Sequence, residues 1–283
     1  MMYDSGLILE GGGMRGVFTA GVLDFFLEKN IDFSNCYGVS AGACHCCSYL
    51  SKQPGRAFRV NVDYLDNKNY ASVYSLIKTG DFFGVKFVYD EIPKKLDKFD
   101  YETFSKYEGK FYCGATNCIT GEAEYFQLKD LKKDMLKLVA SSSLPLLSRF
   151  IRIGGIPYLD GGISDSVPIA KSEEDGNVKN VIVLTRNEGY RKEPNKLIGL
   201  MKMKYKKYPA IIEAMKNRHE MYNKEMEYIE QEEKEGRIFV IRPSKPITIG
   251  RLEKDRKKLT ALYNEGVKEA ENCYEALMEY LEK

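Results

Sequence analysis

Three short stretches of this chain combine reactive side chains with glycine. Gly38-Val39-Ser40-Ala41-Gly42 has the G-x-S-x-G spacing of a nucleophile elbow, a strained turn between strand and helix that presents a serine hydroxyl. Both flanking glycines are needed there, because a Cβ at either would clash with the turn. A serine nucleophile also needs a base. Tyr158-Leu159-Asp160-Gly161-Gly162 offers a carboxylate at the end of an apolar stretch, and its two glycines allow close backbone approach. A carboxylate with a pKa of ~4 is a poor base in water, but partial desolvation beside the nucleophile raises that value. The third stretch is Glu10-Gly11-Gly12-Gly13-Met14-Arg15-Gly16, whose N–H groups can point at an anion. That anion is either the oxyanion of an acyl-transfer intermediate or a pyrophosphate, since Gly11, Gly13 and Gly16 also fit G-x-G-x-x-G.

Each motif has an ordinary reading when taken alone. Gly-rich strand-to-helix turns and Asp-Gly turns are common, and chance produces G-x-S-x-G in roughly one chain in ten of this length. Two histidines compete with Asp160 as the base. His45 lies five residues after Ser40 on the same helix, about 140° around it, and packing is its expected role. His219 sits among Lys and Glu, as a surface residue would, although Ser…Asp…His is the order of α/β-hydrolase triads. Cys44-His45-Cys46-Cys47 lacks the distant second pair of a zinc site, so thiols packed as small core residues are expected.

The elements that must position these groups follow from periodicity. Residues 7–9 read as a buried strand and Val17–Glu28 as a helix with a wide apolar face. Residues 35–39 read as a second strand, followed by a small-residue helix from Ala41. Further strands are expected at 111–115, 123–127, 150–153, 178–184 and 238–241, with segments of helical length between them. Strands alternating with helices imply an α/β fold with a parallel sheet covered on both faces. The serine elbow comes one strand and one helix after the Gly-rich loop, so adjacent parallel strands would bring the two together.

Composition narrows the classes. In 283 residues the net charge is only +2, which argues against a nucleic-acid partner held by global charge. No apolar run approaches a membrane span, and the first residues lack the pattern of a secretory signal. Seven cysteines, an odd number, suit a reducing compartment, so a cytoplasmic protein is expected. Residues 191–283 hold 38 of the 84 charged residues. They read as amphipathic helices packed on, or capping, the preceding domain. Within them, residues 197–208 mix apolar residues with four lysines, as would a basic helix lying peripherally on an anionic membrane. Phe82, Phe83, Phe87 and Val88 are candidates for a lid or an acyl pocket, or for plain core.

Taken together and in this order, the three motifs resemble those of the patatin-like phospholipases, lipid acyl hydrolases with a Ser–Asp dyad and no catalytic histidine. Ala140-Ser141-Ser142-Ser143-Leu144-Pro145 looks like a fourth block of that family. The resemblance implies a three-layer α/β/α fold with a mainly parallel central sheet over residues 5–185. Residues 186–283 would be a charged, mostly helical extension similar to that of a bacterial subgroup. It implies Ser40 as nucleophile and Asp160 as base, framed by Gly38 and Gly42 in the elbow and by Gly161 and Gly162 in the aspartate loop. An oxyanion hole would come from Gly11, Gly12 and Gly13 with Arg15, acting on a lipid or acyl-ester substrate with no cofactor and no metal. Where many members carry Asn before a proline, this chain has Asp165-Ser166-Val167-Pro168. Two other classes compete. A nucleotide-binding oxidoreductase would need an acid closing the second strand, whereas Asp32 precedes it. A non-catalytic lipid-binding protein would not need Ser40 and Asp160 together. The sequence assigns no oligomeric state.

Overall fold

Leu7, Ile8 and Leu9 are all fully buried, as are Val181, Ile182 and Val183. Consecutive buried residues mark strands covered on both faces, as in parallel sheets. The computed structural model describes residues 2–283. Its strands are β1 (Met2–Leu9), β2 (Asp32–Val39), β3 (Lys110–Asn117), β4 (Ala123–Gln127), β5 (Ile151–Ile153), β6 (Ile156–Asp160), β7 (Asn180–Val183) and β8 (Ile238–Ile241). They form one sheet in which β3, β2, β1, β7 and β8 are parallel neighbours in that order. β4, β5 and β6 add antiparallel pairings around β3.

The helices are α1 (Val17–Glu28), α2 (Ala41–Leu50), α3 (Arg56–Val62), α4 (Val73–Thr79), α5 (Tyr101–Ser105), α6 (Leu131–Ser141), α7 (Ile169–Glu174), α8 (Ile198–Lys204), α9 (Pro209–Lys234), α10 (Arg256–Asn272) and α11 (Tyr274–Glu282). A widened helix spans Phe87–Leu96 around Pro93. The layers are legible strand by strand. Leu7, Leu9, Val181 and Val183 pack with Phe18, Val22, Cys46 and Leu259, from α1, α2 and α10. Ile8, Tyr37, Ile182 and Leu184 face the other way, onto Tyr222, Met226 and Ile229 of α9. The result is an α/β/α sandwich with a mainly parallel sheet.

Residues beyond 185 are woven into this frame. β8 extends the parallel sheet beside β7, and the Tyr263 hydroxyl of α10 donates to Asp24 Oδ2 of α1 at 2.6 Å. The helix read over 197–208 is shorter than expected. α8 ends at Lys204, Tyr205 turns inward to receive the Leu146 N–H at 2.7 Å, and Pro209 opens α9, where a missing N–H costs nothing. Residues 156–160, read only as an apolar stretch, form β6. It pairs with β5 across Gly154 and Gly155, both of which hold positive φ. Among the described residues no helix is long and apolar enough to cross a membrane.

Candidate active site

β3 explains why two residues 120 positions apart meet. β2 pairs with β3 as far as Val39 opposite Gly114, and β6 pairs with β3 from Asn117 back to Asp160 opposite Ala115. β4 occupies the other edge of β3 over both stretches, so β2 and β6 lie end to end along the same edge. The elbow that ends β2 and the aspartate that ends β6 therefore abut. Ser40 Oγ donates to Asp160 Oδ2 at 2.6 Å.

Ser40 holds φ 54° and ψ −122°, a left-handed conformation rare for a residue with a side chain. The glycines around it are sterically fixed. A Cβ on Gly38 would come within 2.7 Å of Ala43 N, and one on Gly42 within 2.4 Å of Leu9 O. On Gly161 it would stand 2.2 Å from Gly114 O, so the aspartate loop also lies directly on β3. The fourth block pins both Ser40 and Asp160: the Ser40 N–H donates to Ser141 Oγ at 2.9 Å, and the Asp160 N–H to Ser143 O at 2.8 Å. Asp160 Oδ1 accepts the Gly162 N–H at 2.9 Å. Asp160 is only 5% exposed and Ser40 6%, and burial pushes the carboxyl above the ordinary Asp range. The Ser40 and Gly162 hydrogen bonds and the nearby Arg218 and Arg251 oppose that shift.

The Gly-rich loop lies against the elbow, with an added Cβ at Gly11 falling 3.2 Å from Ser40 Cβ. The Gly11 N–H is donated to Ser166 O at 3.2 Å, and the Met14 N–H to Arg251 O at 3.0 Å. Among the described residues, the N–H groups of Gly12 and Gly13 have no recorded acceptor. Glu10 anchors the loop from below. Its Oε2 accepts the Thr185 N–H and hydroxyl at 2.5 and 2.9 Å, and its Oε1 accepts the Tyr222 hydroxyl at 3.0 Å. Arg15 is buried, its Nε has no partner, and burial together with Arg186 pushes its guanidinium down to about 10. It does not line either cavity beside the dyad.

Asp165 follows the aspartate loop, and its N–H donates to Gly161 O at 2.9 Å. It accepts the Tyr125 hydroxyl at Oδ2 and the Val167 N–H at Oδ1, 3.0 Å away, and shares a hydrogen bond with the buried Glu225 carboxyl. Burial and the charge of Asp165 push Glu225 well above the ordinary range, and burial raises Asp165 as well.

Neither histidine is hydrogen-bonded to Ser40 or Asp160. Burial pushes His45 down to about 4, and its Nε2 meets Asn61 Nδ2 at 3.0 Å. His219 Nδ1 lies 3.1 Å from Lys216 O on its own helix. Cys46 and Cys47 are buried in the core, and all seven cysteines are free thiols. Asp32 opens β2, at the far end of the strand from the Gly-rich loop, and pairs there with Lys52. A ribose contact with that loop is out of its reach.

Two cavities flank the dyad. One of about 90 Å³ reaches Ser40 and is walled by Met14, Tyr70, Phe83, Val88 and Tyr89. Phe82 and Phe87 belong to the core instead. The other, about 580 Å³, reaches Asp160 and Gly162. Its walls include Leu144, Ile163, Met201 and Met215, together with Lys192, Arg218 and Arg251. The sequence carried little signal for these cations, because lysines and arginines are abundant after residue 185 and nothing in their spacing sets them apart.

The family model described as patatin-like phospholipase matches residues 7–171, and one described as a domain of unknown function matches residues 208–282. The uncharacterized protein YjjU of Escherichia coli K12 is 26% identical over 253 residues, covering 85% of this chain and 69% of its own length. Pnpla3 of Mus musculus, a 1-acylglycerol-3-phosphate O-acyltransferase, is 30% identical over 183 residues, 59% of this chain and 42% of its own. The crystal structure of VipD from Legionella pneumophila superposes with a TM-score of 0.49 at 13% identity, over 99% of this chain and 67% of VipD. The patatin match spans more than half of the chain, and the chain belongs to the patatin-like phospholipase family, whose members are lipid acyl hydrolases.

Proposed function

We propose that the protein hydrolyses acyl esters of lipids through a Ser40–Asp160 dyad. The observation that carries this reading is the 2.6 Å hydrogen bond from Ser40 Oγ to a buried carboxylate, on a serine held at positive φ. Asp160 takes the hydroxyl proton as Ser40 Oγ attacks the ester carbonyl. The oxyanion that forms is met by the N–H groups of Gly12 and Gly13, which have no competing acceptor. Gly11 supports the loop through Ser166, and Arg15 contributes positive charge behind it. Collapse of the intermediate breaks the bond to the alcohol, which leaves with the proton from Asp160. Water then gives a proton to Asp160 and attacks the acyl-enzyme, releasing the fatty acid and returning the proton to Ser40. A raised Asp160 pKa makes that group a better base, with an acidic limb of activity above the ordinary Asp range.

Fatty-acid release from phospholipid, lysophospholipid and neutral glyceride tests the reading. With wild type active on at least one ester, Ser40→Ala is expected to lower kcat by about a thousandfold or more. Undiminished turnover in Ser40→Ala would exclude the mechanism.

A further inference from the structure

The large cavity beside Asp160 carries a charge imbalance. Lys192, Arg218 and Arg251 all line it, beside a Glu193–Lys196 pair 4.0 Å apart, and among the described residues none of the three forms an ion pair with a carboxylate. Their recorded contacts are to neutral groups. Arg218 Nε donates to Gly162 O, and Lys192 Nζ lies 3.5 Å from Ser166 Oγ and 3.5 Å from the centre of the Tyr222 ring. The Arg251 side chain has no recorded hydrogen bond, although its carbonyl caps the Gly-rich loop at Met14.

The carboxylates facing this group are already engaged. Glu10 accepts from Thr185 and Tyr222, Asp160 accepts from Ser40 and Gly162, and burial beside Asp165 pushes Glu225 well above the ordinary range. Burial first, and then mutual repulsion, lowers the affinity of the cations for their own protons. Arg218 falls to about 10, beside Arg251, and Lys192 falls well below its usual value beside Arg218 and Arg251. Three convergent cations held this way favour an anion with several oxygens, and phosphate fits that demand. They equally disfavour a head group carrying an ammonium, and the Tyr222 face that could have received one is covered by Lys192.

We propose that Lys192, Arg218 and Arg251 form a phosphate subsite on the Asp160 side of the dyad, selecting acyl esters whose head group is an anionic glycerophosphate without an ammonium. This rests on the hydrolase reading for its substrate, while the binding step can be measured without turnover. Calorimetric titration of the 283-residue chain carrying Ser40→Ala with sn-glycerol 3-phosphate is expected to show saturable binding, with glycerol silent. Affinity should fall at least about tenfold in the added backgrounds Arg251→Gln and Lys192→Gln and weaken with salt. The exposed-lysine control Lys257→Gln should bind as the parent does. Inorganic phosphate and 1-acylglycerol 3-phosphate, compared as competitors, separate the two sources of the anion. Tighter binding of the lipid assigns the site to substrate, and equal binding would overturn the selectivity claim.

In active protein, Arg251→Gln should lower kcat/KM on 1-acylglycerol 3-phosphate at least about tenfold more than on the monoacylglycerol of the same chain. Equal losses on both, with a shifted pH profile, would mean that the cations serve Asp160 and not the head group. Absence of glycerol 3-phosphate binding would overturn the subsite even if the enzyme proves active. Binding by a protein inactive on every ester would leave the subsite standing and reject the hydrolase reading.

Discussion

The two sides of the Ser40–Asp160 pair are chemically unlike. On the Ser40 side a cavity of about 90 Å³ is bounded by Tyr70, Phe83, Val88 and Tyr89, all from the segment between the elbow and β3. On the Asp160 side a cavity of about 580 Å³ combines apolar walls with Lys192, Arg218 and Arg251, all from residues after 185. Both reactive groups come from the earlier part of the chain, and the charge comes from the later part. Such a division suits a substrate with an acyl chain at one end and a charged head at the other.

The comparison can be broken from either side. The largest effect is expected at the junction itself. Asp160→Asn keeps the volume and removes the base, so kcat should fall by roughly a hundredfold to ten-thousandfold, and the acidic limb of the pH–rate profile should disappear with it. A surviving limb in this variant would assign the titration elsewhere. A smaller effect is expected on the apolar side. Phe83→Ala enlarges the wall of the Ser40 cavity and should move preference toward longer acyl chains by about tenfold in relative kcat/KM. Assays across a chain-length series read this directly, and an equal change at every length would remove Phe83 from the acyl wall.

A gentler probe concerns Glu225, behind the charged side. Its folded pKa is raised, so its contribution to stability is fully present below the unfolded value of ~4.5 and is lost as pH rises through the folded one. Glu225→Gln fixes the neutral form. Its melting temperature should match wild type near pH 4 and exceed it by about 2–4 °C at neutral to alkaline pH. Parallel curves would mean that Glu225 is not protonated in the fold. The smallest expected effect is over residues 197–207, where Leu197 lines the large cavity and Leu200 and Met203 are exposed in a stretch that also exposes Lys202, Lys206 and Lys207. Co-sedimentation with vesicles should rise with anionic lipid content and fall in Met203→Glu, and indifference to lipid charge would retire membrane contact there.

What the sequence disclosed and what it withheld follow the range of the interactions. The elbow, the Gly-rich loop and the aspartate loop are local: each needs particular residues within five to seven positions, and glycine is unmistakable where a Cβ would strike backbone. Adjacent parallel strands also follow from strand–helix alternation, which placed Gly11 against Ser40. The meeting of β2 and β6 along one edge of β3 was not legible, because it depends on the antiparallel return at Gly154-Gly155. Ser141 lay within the fourth block, yet its bond to the Ser40 N–H spans 101 residues. The cation trio was hidden for a different reason. Lys192, Arg218 and Arg251 become distinctive only through what they fail to pair with, and pairing is a property of the folded chain.

The central claim is that Ser40 is activated by Asp160. Labelling with a fluorophosphonate probe, read by intact mass, tests it without any assumption about the substrate. Wild type is expected to gain one adduct, Ser40→Ala none, and Asp160→Asn the same adduct far more slowly. A well-folded wild type that takes no label, or a Ser40→Ala protein that labels as wild type does, would contradict the account.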